Sequence, residues 1–356
     1  MGPRQVGKTT AARQVCAQWK GPTHMVSADG PTPPDTAWIE LEWHRAQQKG
    51  PGSLLVIDEI QKIPRWSEQI KRLYDDPARK SLHVLLLGSS SLYLQRGLGE
   101  SLAGRFEIIP APHWSFGEWE RAFGEDFEGY LRHGAYPAMA ELQQDEARWR
   151  QYVLQSIIEP VLGKDILGQQ SIGNPALFRQ TFELAVQCPA HIVSLQKLLG
   201  QLQDRGSVAT IRHYLELFEQ CFLLRVLHKY SGSIVQTRSS IPKIVILNAA
   251  LTHAYQTWQR LSTDQHWYGF VFESAVGAHL AQVPNSQLYY WREGRDEVDY
   301  VLKTPAALYA IEVKSGRTIR TQRGLAAFAR KFPKARCETW EYSTAIAFMR
   351  GQRTLE

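Results

Sequence analysis

The chain opens Met1-Gly2-Pro3-Arg4-Gln5-Val6-Gly7-Lys8-Thr9-Thr10, and this stretch decides the fold. Gly2-x-x-x-x-Gly7-Lys8-Thr9 has the spacing of a phosphate-binding loop. Glycines let the backbone curl until several N–H groups point inward at a phosphate. The helix that follows turns its positive N-terminal end toward the same anion. In that geometry Lys8 reaches the β- and γ-phosphates and the Thr9 hydroxyl ligates Mg²⁺. Gly2, Gly7 and Thr10 complete the nucleotide contact. A glycine turn before an ordinary helix is the competing reading. Such a loop normally hangs from the end of a buried parallel strand, whereas only Met1 stands before Gly2. The strand that should aim the loop is therefore expected to be missing, and nucleotide binding to be weaker than in a version extended upstream.

Outward from the loop, Thr10 to Lys20 reads as its helix, ended by Gly21-Pro22. His24 to Asp29 reads as a short strand, and Asp35 as the cap of a helix running to about Lys49. The decisive partner is Ser53-Leu-Leu-Val-Ile-Asp58-Glu59. An unbroken apolar run ending in two acids describes a parallel strand buried on both faces, with its carboxyl end where ligands bind in open α/β sheets. Asp58 is expected to hold the Mg²⁺ through water, and Glu59 to polarise the attacking water. Leu82 to Leu87 reads as another buried strand, ending in Gly88-Ser89-Ser90-Ser91. Ser89 would sense the γ-phosphate or orient the water, and a plain loop fits equally well. Arg105 opens a strand at Phe106 to Ile109, where it would act as an arginine finger or form a surface salt bridge.

Composition narrows the class. With 356 residues, 44% hydrophobic and 21% charged, the chain reads as globular, with room for two or three domains. No apolar run approaches the ~18 residues of a membrane helix, and no secretory signal opens the chain. Cys16, Cys188, Cys221 and Cys337 are far apart, as reduced thiols of a cytoplasmic protein would be. The net charge is +6, and residues 292–336, with eleven Lys/Arg against five Asp/Glu, account for all of it. That concentration invites a phosphate-rich partner; a solvated basic helix is the plainer alternative.

The series Gly-Pro-Arg-Gln-Val-Gly-Lys-Thr-Thr, Val-Ile-Asp-Glu-Ile-Gln-Lys-Ile-Pro, Leu-Leu-Gly-Ser-Ser and Leu-Ala-Gly-Arg resembles prokaryotic AAA+-type P-loop ATPases, in which the ATPase precedes a C-terminal domain of uncharacterised function. The resemblance covers essentially the whole chain in order. It implies ATP binding, Mg²⁺ and a five-stranded parallel sheet. In such a sheet the first strand lies between the one ending at Ser89 and the one at Phe106 to Ile109, so its loss would leave a gap in the core. The family's Gly-x-Tyr-Pro signature is matched by Gly134-Ala-Tyr136-Pro137, while Asn248 stands where an aspartate is expected.

Beyond residue 120 the sequence turns helical. Ser194 to Gln203, a turn at Asp204-Arg-Gly206, a helix capped by Ser207 and a strand at Cys221 to Leu227 outline a winged helix-turn-helix. Arg212 and His213 would face outward. A helical hairpin without DNA contact gives the same pattern. Near the C-terminus, Glu297-Val-Asp299-Tyr-Val-Leu302 and Leu308-Tyr-Ala-Ile-Glu312-Val-Lys314 read as two strands. Alternation places Glu312 and Lys314 on one face, with Asp299 nearby if the strands form a hairpin. Two carboxylates and a lysine could hold Mg²⁺ and stabilise an attacking water on a phosphodiester. Trp291-Arg292, Glu297-Val-Asp299 and Ile311-Glu-Val-Lys-Ser-Gly316 resemble the family's C-terminal domain. That domain in turn resembles restriction-endonuclease-like PD-(D/E)xK folds, and Glu273, Asp299, Glu312 and Lys314 carry over to their site.

The expected architecture is thus an α/β chain in three parts. Residues 1–120 are an ATPase domain, 121–245 a helical connector with the winged-helix-like element, and 246–356 a small nuclease-like domain. The expected function is Mg²⁺-dependent ATP hydrolysis coupled to DNA binding or processing. Two alternatives stand beside it: a nucleotide-dependent DNA-binding switch with little turnover, and a metal-dependent nuclease. DNA is the expected partner; a homo-oligomer is left open.

Overall fold

A computed structural model describes the chain except residues 33, 78–80, 89–101, 169, 203–205, 232–239, 317–322 and 356. It divides into two compact units, Met1–Pro112 and His113–Glu356.

In the first unit the loop leads into α1 (Lys8–Gln18). Strand β1 (Thr23–Ser27) follows, then α2 (Thr36–Gln48), β2 (Ser53–Asp58), α3 (Trp66–Asp75) and β3 (Leu82–Leu86). Asp35 caps α2 by accepting the Trp38 N–H at 3.1 Å, as the sequence predicts. The strands form a parallel sheet in the order β1-β2-β3. The central strand β2 is buried at every residue, because α1 and α2 both pack on it and its apolar run has no polar face. Trp43, Ile57, Ile63, Trp66 and Ile70 share one core.

Three strands, not five, pair in this sheet among the described residues. The predicted strand at Phe106 to Ile109 is extended but unpaired as a strand. Phe106, Ile108 and Ile109 are 41, 47 and 65% exposed, and β3 is buried only at Leu82. Met1 pairs with this segment. Its amino group donates to the Ile109 carbonyl at 2.8 Å, and the Ala111 N–H donates to the Met1 carbonyl at 2.8 Å.

The second unit begins with α4 (Phe116–Phe123), α5 (Phe127–His133) and α6 (Glu146–Tyr152). The helical path continues through π-helical turns at Val153–Ile158 and Pro160–Leu167. Helices α7 (Pro175–Val186), α8 (Leu195–Gly200) and α9 (Val208–Gln220) come next. An antiparallel pair, β4 (Leu224–Leu227) and β5 (Lys243–Ile246), follows them. After α10 (Ala249–His253), α11 (Gln259–Thr263) and α12 (Gln265–Leu280) comes a four-stranded sheet, β6 (Gln287–Glu293), β7 (Asp296–Lys303), β8 (Leu308–Val313) and β9 (Arg336–Trp340). Its first two pairings are antiparallel and the last is parallel. Helix α13 (Arg323–Lys331) connects β8 to β9, and α14 (Tyr342–Met349) closes the chain.

The boundary expected near residue 245 does not separate compact bodies. Phe116, Leu131, Leu227 and Val245 share one core with Phe272, Tyr300, Ile311 and Trp340. Apolar faces of connector and sheet are buried against each other there, while Trp291, Val298, Val301, Ala310, Leu325 and Phe328 form a further core within the C-terminal part.

Candidate functional site

The phosphate loop takes its shape from two backbone turns into the left-handed region, at Gln5 (φ 57°) and Gly7 (φ 87°). At Gly7 no Cβ opposes that conformation. Gly2 is required for another reason: a Cβ there would lie 1.8 Å from the Ala111 carbonyl oxygen. Helix α1 starts at Lys8 without a capping side chain and with no acid in its first turn. Its first N–H groups therefore face the loop without a competing carboxylate. The Lys8 ammonium donates to the carbonyls of Gly2 (3.0 Å) and Pro3.

Asp58 ends β2 and is buried. Its Oδ2 accepts the Thr9 hydroxyl at 2.6 Å and its Oδ1 accepts the Glu59 N–H at 2.9 Å. The sequence-predicted pair Thr9 and Asp58 is thus brought together across 49 residues. Glu59 sits in the left-handed region (φ 54°), which turns its side chain off the strand axis. There the Gln61 amide donates to its Oε2 at 2.6 Å. Thr10 is exposed on α1.

Arg105 takes the plainer of its two expected roles. Its Nε donates to Asp75 at 2.7 Å and its Nη1 to the Ala103 carbonyl at 3.1 Å. The hydrogen bond to Asp75 and that carboxylate's charge raise the arginine's pKa further. Ser89 lies outside the described residues.

In the second unit β7 and β8 form the predicted hairpin, with Tyr300 opposite Ile311. Asp299 Oδ2 accepts the Val313 N–H at 2.8 Å, and Lys314 donates to Glu312 Oε1 at 2.6 Å. Glu273 on α12 faces the same region, and the Tyr300 hydroxyl donates to its carbonyl at 2.7 Å. The four carried-over residues therefore converge. Glu312 is buried and, among the described residues, its Oε2 has no hydrogen-bond partner. Burial first, and Asp299 beside it, push its pKa up to about 7. His266, Gly269, Phe270, Glu273, Lys314 and Ser315 line a shallow pocket here.

Sequence reasoning missed Lys243. It is the first residue of β5, its side chain is wholly buried, and its ammonium reaches Glu273 Oε1 at 2.5 Å and the Asp299 carbonyl at 3.0 Å. The available signal was a lone lysine inside the apolar run Ile241-Pro-Lys243-Ile-Val-Ile-Leu, a position where a charge has to find a partner.

The helix-turn-helix outline is present in part. Helices α8 and α9 pack together, Ser207 caps α9 by accepting the Thr210 N–H at 3.0 Å, and β4-β5 follow as a two-stranded ribbon. Arg212 and His213 are exposed; residues 203–205 of the turn lie outside the described set. On the C-terminal basic segment Arg330, Lys331, Lys334 and Arg336 are exposed, and residues 317–322 are not described. All four cysteines are free thiols. Among the described residues no helix is long and apolar enough to cross a membrane.

Comparison with known proteins divides the chain in three. Residues 1–120 match the family described as AAA domain. Residues 124–262 and 268–354 match two domains of unknown function, DUF8612 and DUF4143. An uncharacterized protein of Mycobacterium tuberculosis is 28% identical over 334 residues, spanning 91% of this chain and 71% of that one. One from Methanocaldococcus jannaschii is 22% identical, spanning 70% and 58%. Among solved structures, the Walker-type ATPase of Pyrococcus abyssi is similar at 13% identity and TM-score 0.46, over 72% of this chain and 89% of that one. The RuvB Holliday junction branch migration motor of Thermotoga maritima is similar at 19% identity and TM-score 0.33, over 63% and 79%.

Proposed function

We propose, from the premise that residues 1–120 belong to the AAA domain family of P-loop ATPases, that this chain binds ATP and hydrolyses it with Mg²⁺. The observation that carries the reading is the 2.6 Å contact between Thr9 Oγ1 and Asp58 Oδ2. A hydroxyl and a buried carboxylate oxygen at that separation are the donor set a hard divalent cation takes. Thr9 and Asp58 would hold the Mg²⁺, which would supply positive charge against the charge developing on the phosphate. Lys8 exchanges the Gly2 and Pro3 carbonyls for phosphate oxygens. Glu59, held by Gln61, accepts a hydrogen bond from the attacking water and orients it.

The test is ATP binding by isothermal titration together with steady-state phosphate release. Lys8→Ala is expected to weaken ATP binding at least tenfold, since it removes a charge-assisted contact of about 1.5–3 kcal/mol. Glu59→Gln is expected to keep binding and lose at least a hundredfold in turnover, the lower end of what a positioned base contributes. Unchanged affinity in Lys8→Ala would sink the reading.

A second reading, binding with little turnover, has one observation in its favour. Arg105 is engaged by Asp75, which occupies the side chain that would serve as the arginine finger. Single-turnover and steady-state rates that agree, and that DNA leaves unchanged, would favour the switch.

The nucleic-acid side of the proposal rests on the exposed Arg330, Lys331, Lys334 and Arg336 of the second unit, with Arg212 and His213 as a further candidate contact. The three parts 1–120, 121–245 and 246–356 are proposed as functional divisions, even though the last two share one core.

A further inference from the structure

We infer that the ammonium of Lys243 takes the place of a divalent cation among Glu273, Asp299 and Glu312, so that this nuclease-like cluster works without a metal ion. The inference stands independently of the ATPase reading.

Each carboxylate that a metal would need already has one oxygen engaged, although Glu312 Oε2 has no hydrogen-bond partner among the described residues. Glu273 Oε1 accepts Lys243 at 2.5 Å, Asp299 Oδ2 accepts the Val313 N–H at 2.8 Å, and Glu312 Oε1 accepts Lys314 at 2.6 Å. Magnesium binds oxygen at about 2.0–2.1 Å in a strict octahedron, so it would have to strip these donors away. Among the described residues no group of three or more His, Cys, Asp or Glu side chains is placed to hold a metal ion.

Lys243 is built for the position rather than drifting into it. It comes from β5, outside the four-stranded sheet, and reaches both α12, through Glu273, and β7, through the Asp299 carbonyl. The Tyr300 ring lies 4.8 Å from its ammonium, adding a cation–π contact. With Lys314 opposite Glu312, two ammonium groups answer three carboxylates. A dication placed among them would face Lys243 across a poorly screened interior, where like charges repel strongly.

The consequence is a phosphate-facing surface without a metal-dependent hydrolytic step. Its pocket, lined by His266, Lys314 and Ser315 beside Glu273, keeps polar groups suited to contacting a phosphodiester.

The test uses the full chain in an Asp58→Asn background, which silences the site in the first unit. Free Mn²⁺ is followed by electron paramagnetic resonance. The background protein is expected to take up no stoichiometric Mn²⁺, and Lys243→Arg, which keeps the cation, to behave the same way. Lys243→Met removes the charge and keeps the stem; it is expected to gain one Mn²⁺ site at least tenfold tighter than background, lost again on adding Glu273→Gln. A folded Lys243→Met protein that binds no Mn²⁺ would overturn the inference. So would a background protein that binds one Mn²⁺ and loses it with Glu273→Gln. If Lys243→Met does not fold, the background and Lys243→Arg titrations decide alone. Plasmid cleavage with Mg²⁺ or Mn²⁺ that disappears in Glu312→Ala would also overturn it.

Discussion

His279 shows how much one side chain can commit to a single protonation state. Its Nδ1–H donates to the Ala275 carbonyl at 2.7 Å, and its Nε2 accepts the Phe116 N–H at 3.0 Å. A proton on Nε2 would point at another N–H. Burial pushes its pKa down to about 4. A folded pKa below the unfolded value near 6.5 gives stability that is present above 6.5 and lost as the pH falls toward 4. At about 1.4 kcal/mol per unit, the loss is on the order of 3 kcal/mol. His279→Gln retains an acceptor and cannot titrate. It is expected to be less stable than the parent near neutral pH, yet to lose on the order of 2 kcal/mol less between about pH 7 and about pH 4.5. Urea unfolding followed by tryptophan fluorescence measures this, and parallel pH profiles would refute it. His253, also pushed down to about 4 by burial, is present in both proteins and cancels.

Asn248 is a second residue whose identity the structure explains. Its Oδ1 accepts the Ala135 and Ala250 N–H groups at 3.1 Å each, and its Nδ2 lies 3.2 Å from His113 Nδ1. An aspartate could accept the first two but has nothing to donate to a neutral imidazole. The amide therefore fits a His113 whose Nε2–H points to the Phe222 carbonyl. The departure from the family pattern is structural, and it ties the Gly134-Ala-Tyr136-Pro137 turn to the start of α10.

At the scale of elements, the first unit leaves apolar side chains uncovered: β3 is buried only at its first residue, and Phe106, Ile108 and Ile109 are exposed. An extended strand pairing with 109–111 would occupy the slot that Met1 marks and cover the side chains there. The Met1 carbonyl and amino group already make parallel-type contacts with 109–111. Fusing a short Val/Ile-rich segment ahead of Gly2 is therefore expected to raise ATP affinity about tenfold, on the order of 1.4 kcal/mol, by fixing the loop before the ligand arrives. Titration of the fused and parent chains measures it; equal affinities, with 106–109 still open to solvent exchange, would count against the slot.

Across the whole molecule, positive charge is concentrated in one stretch of the chain. The excess of six positive charges equals that carried by residues 292–336, within the second unit, and Arg330 and Lys334 stand exposed there. If this surface contacts DNA backbone, affinity falls linearly in log–log plots against salt. Reversing Arg330 and Lys334 to glutamate is expected to flatten that slope by about 2, with little dependence on DNA sequence. Fluorescence anisotropy at several salt concentrations reads it directly, and an unchanged slope would move the contact elsewhere.

Local chemistry was legible in the sequence because it depends on near neighbours. The loop spacing, the apolar run ending at Asp58-Glu59, the Asp35 and Ser207 caps and the two-residue alternation at Glu312 and Lys314 are all set within a few residues, and each reappears in the structure. The hairpin that brings Asp299 to Val313 was a condition of that reading, and the pairing of β7 with β8 meets it. Other features depended on contacts between distant parts of the chain. Lys243 meets Glu273 and Asp299 across 30 and 56 positions, Arg105 meets Asp75 across 30, and the connector shares its core with the C-terminal sheet. The sequence by itself determined which groups could bind a phosphate or a cation. Tertiary structure decided which cation they meet, because in a buried site the partner that arrives by folding is held at hydrogen-bond distance and competes with any ion from solution.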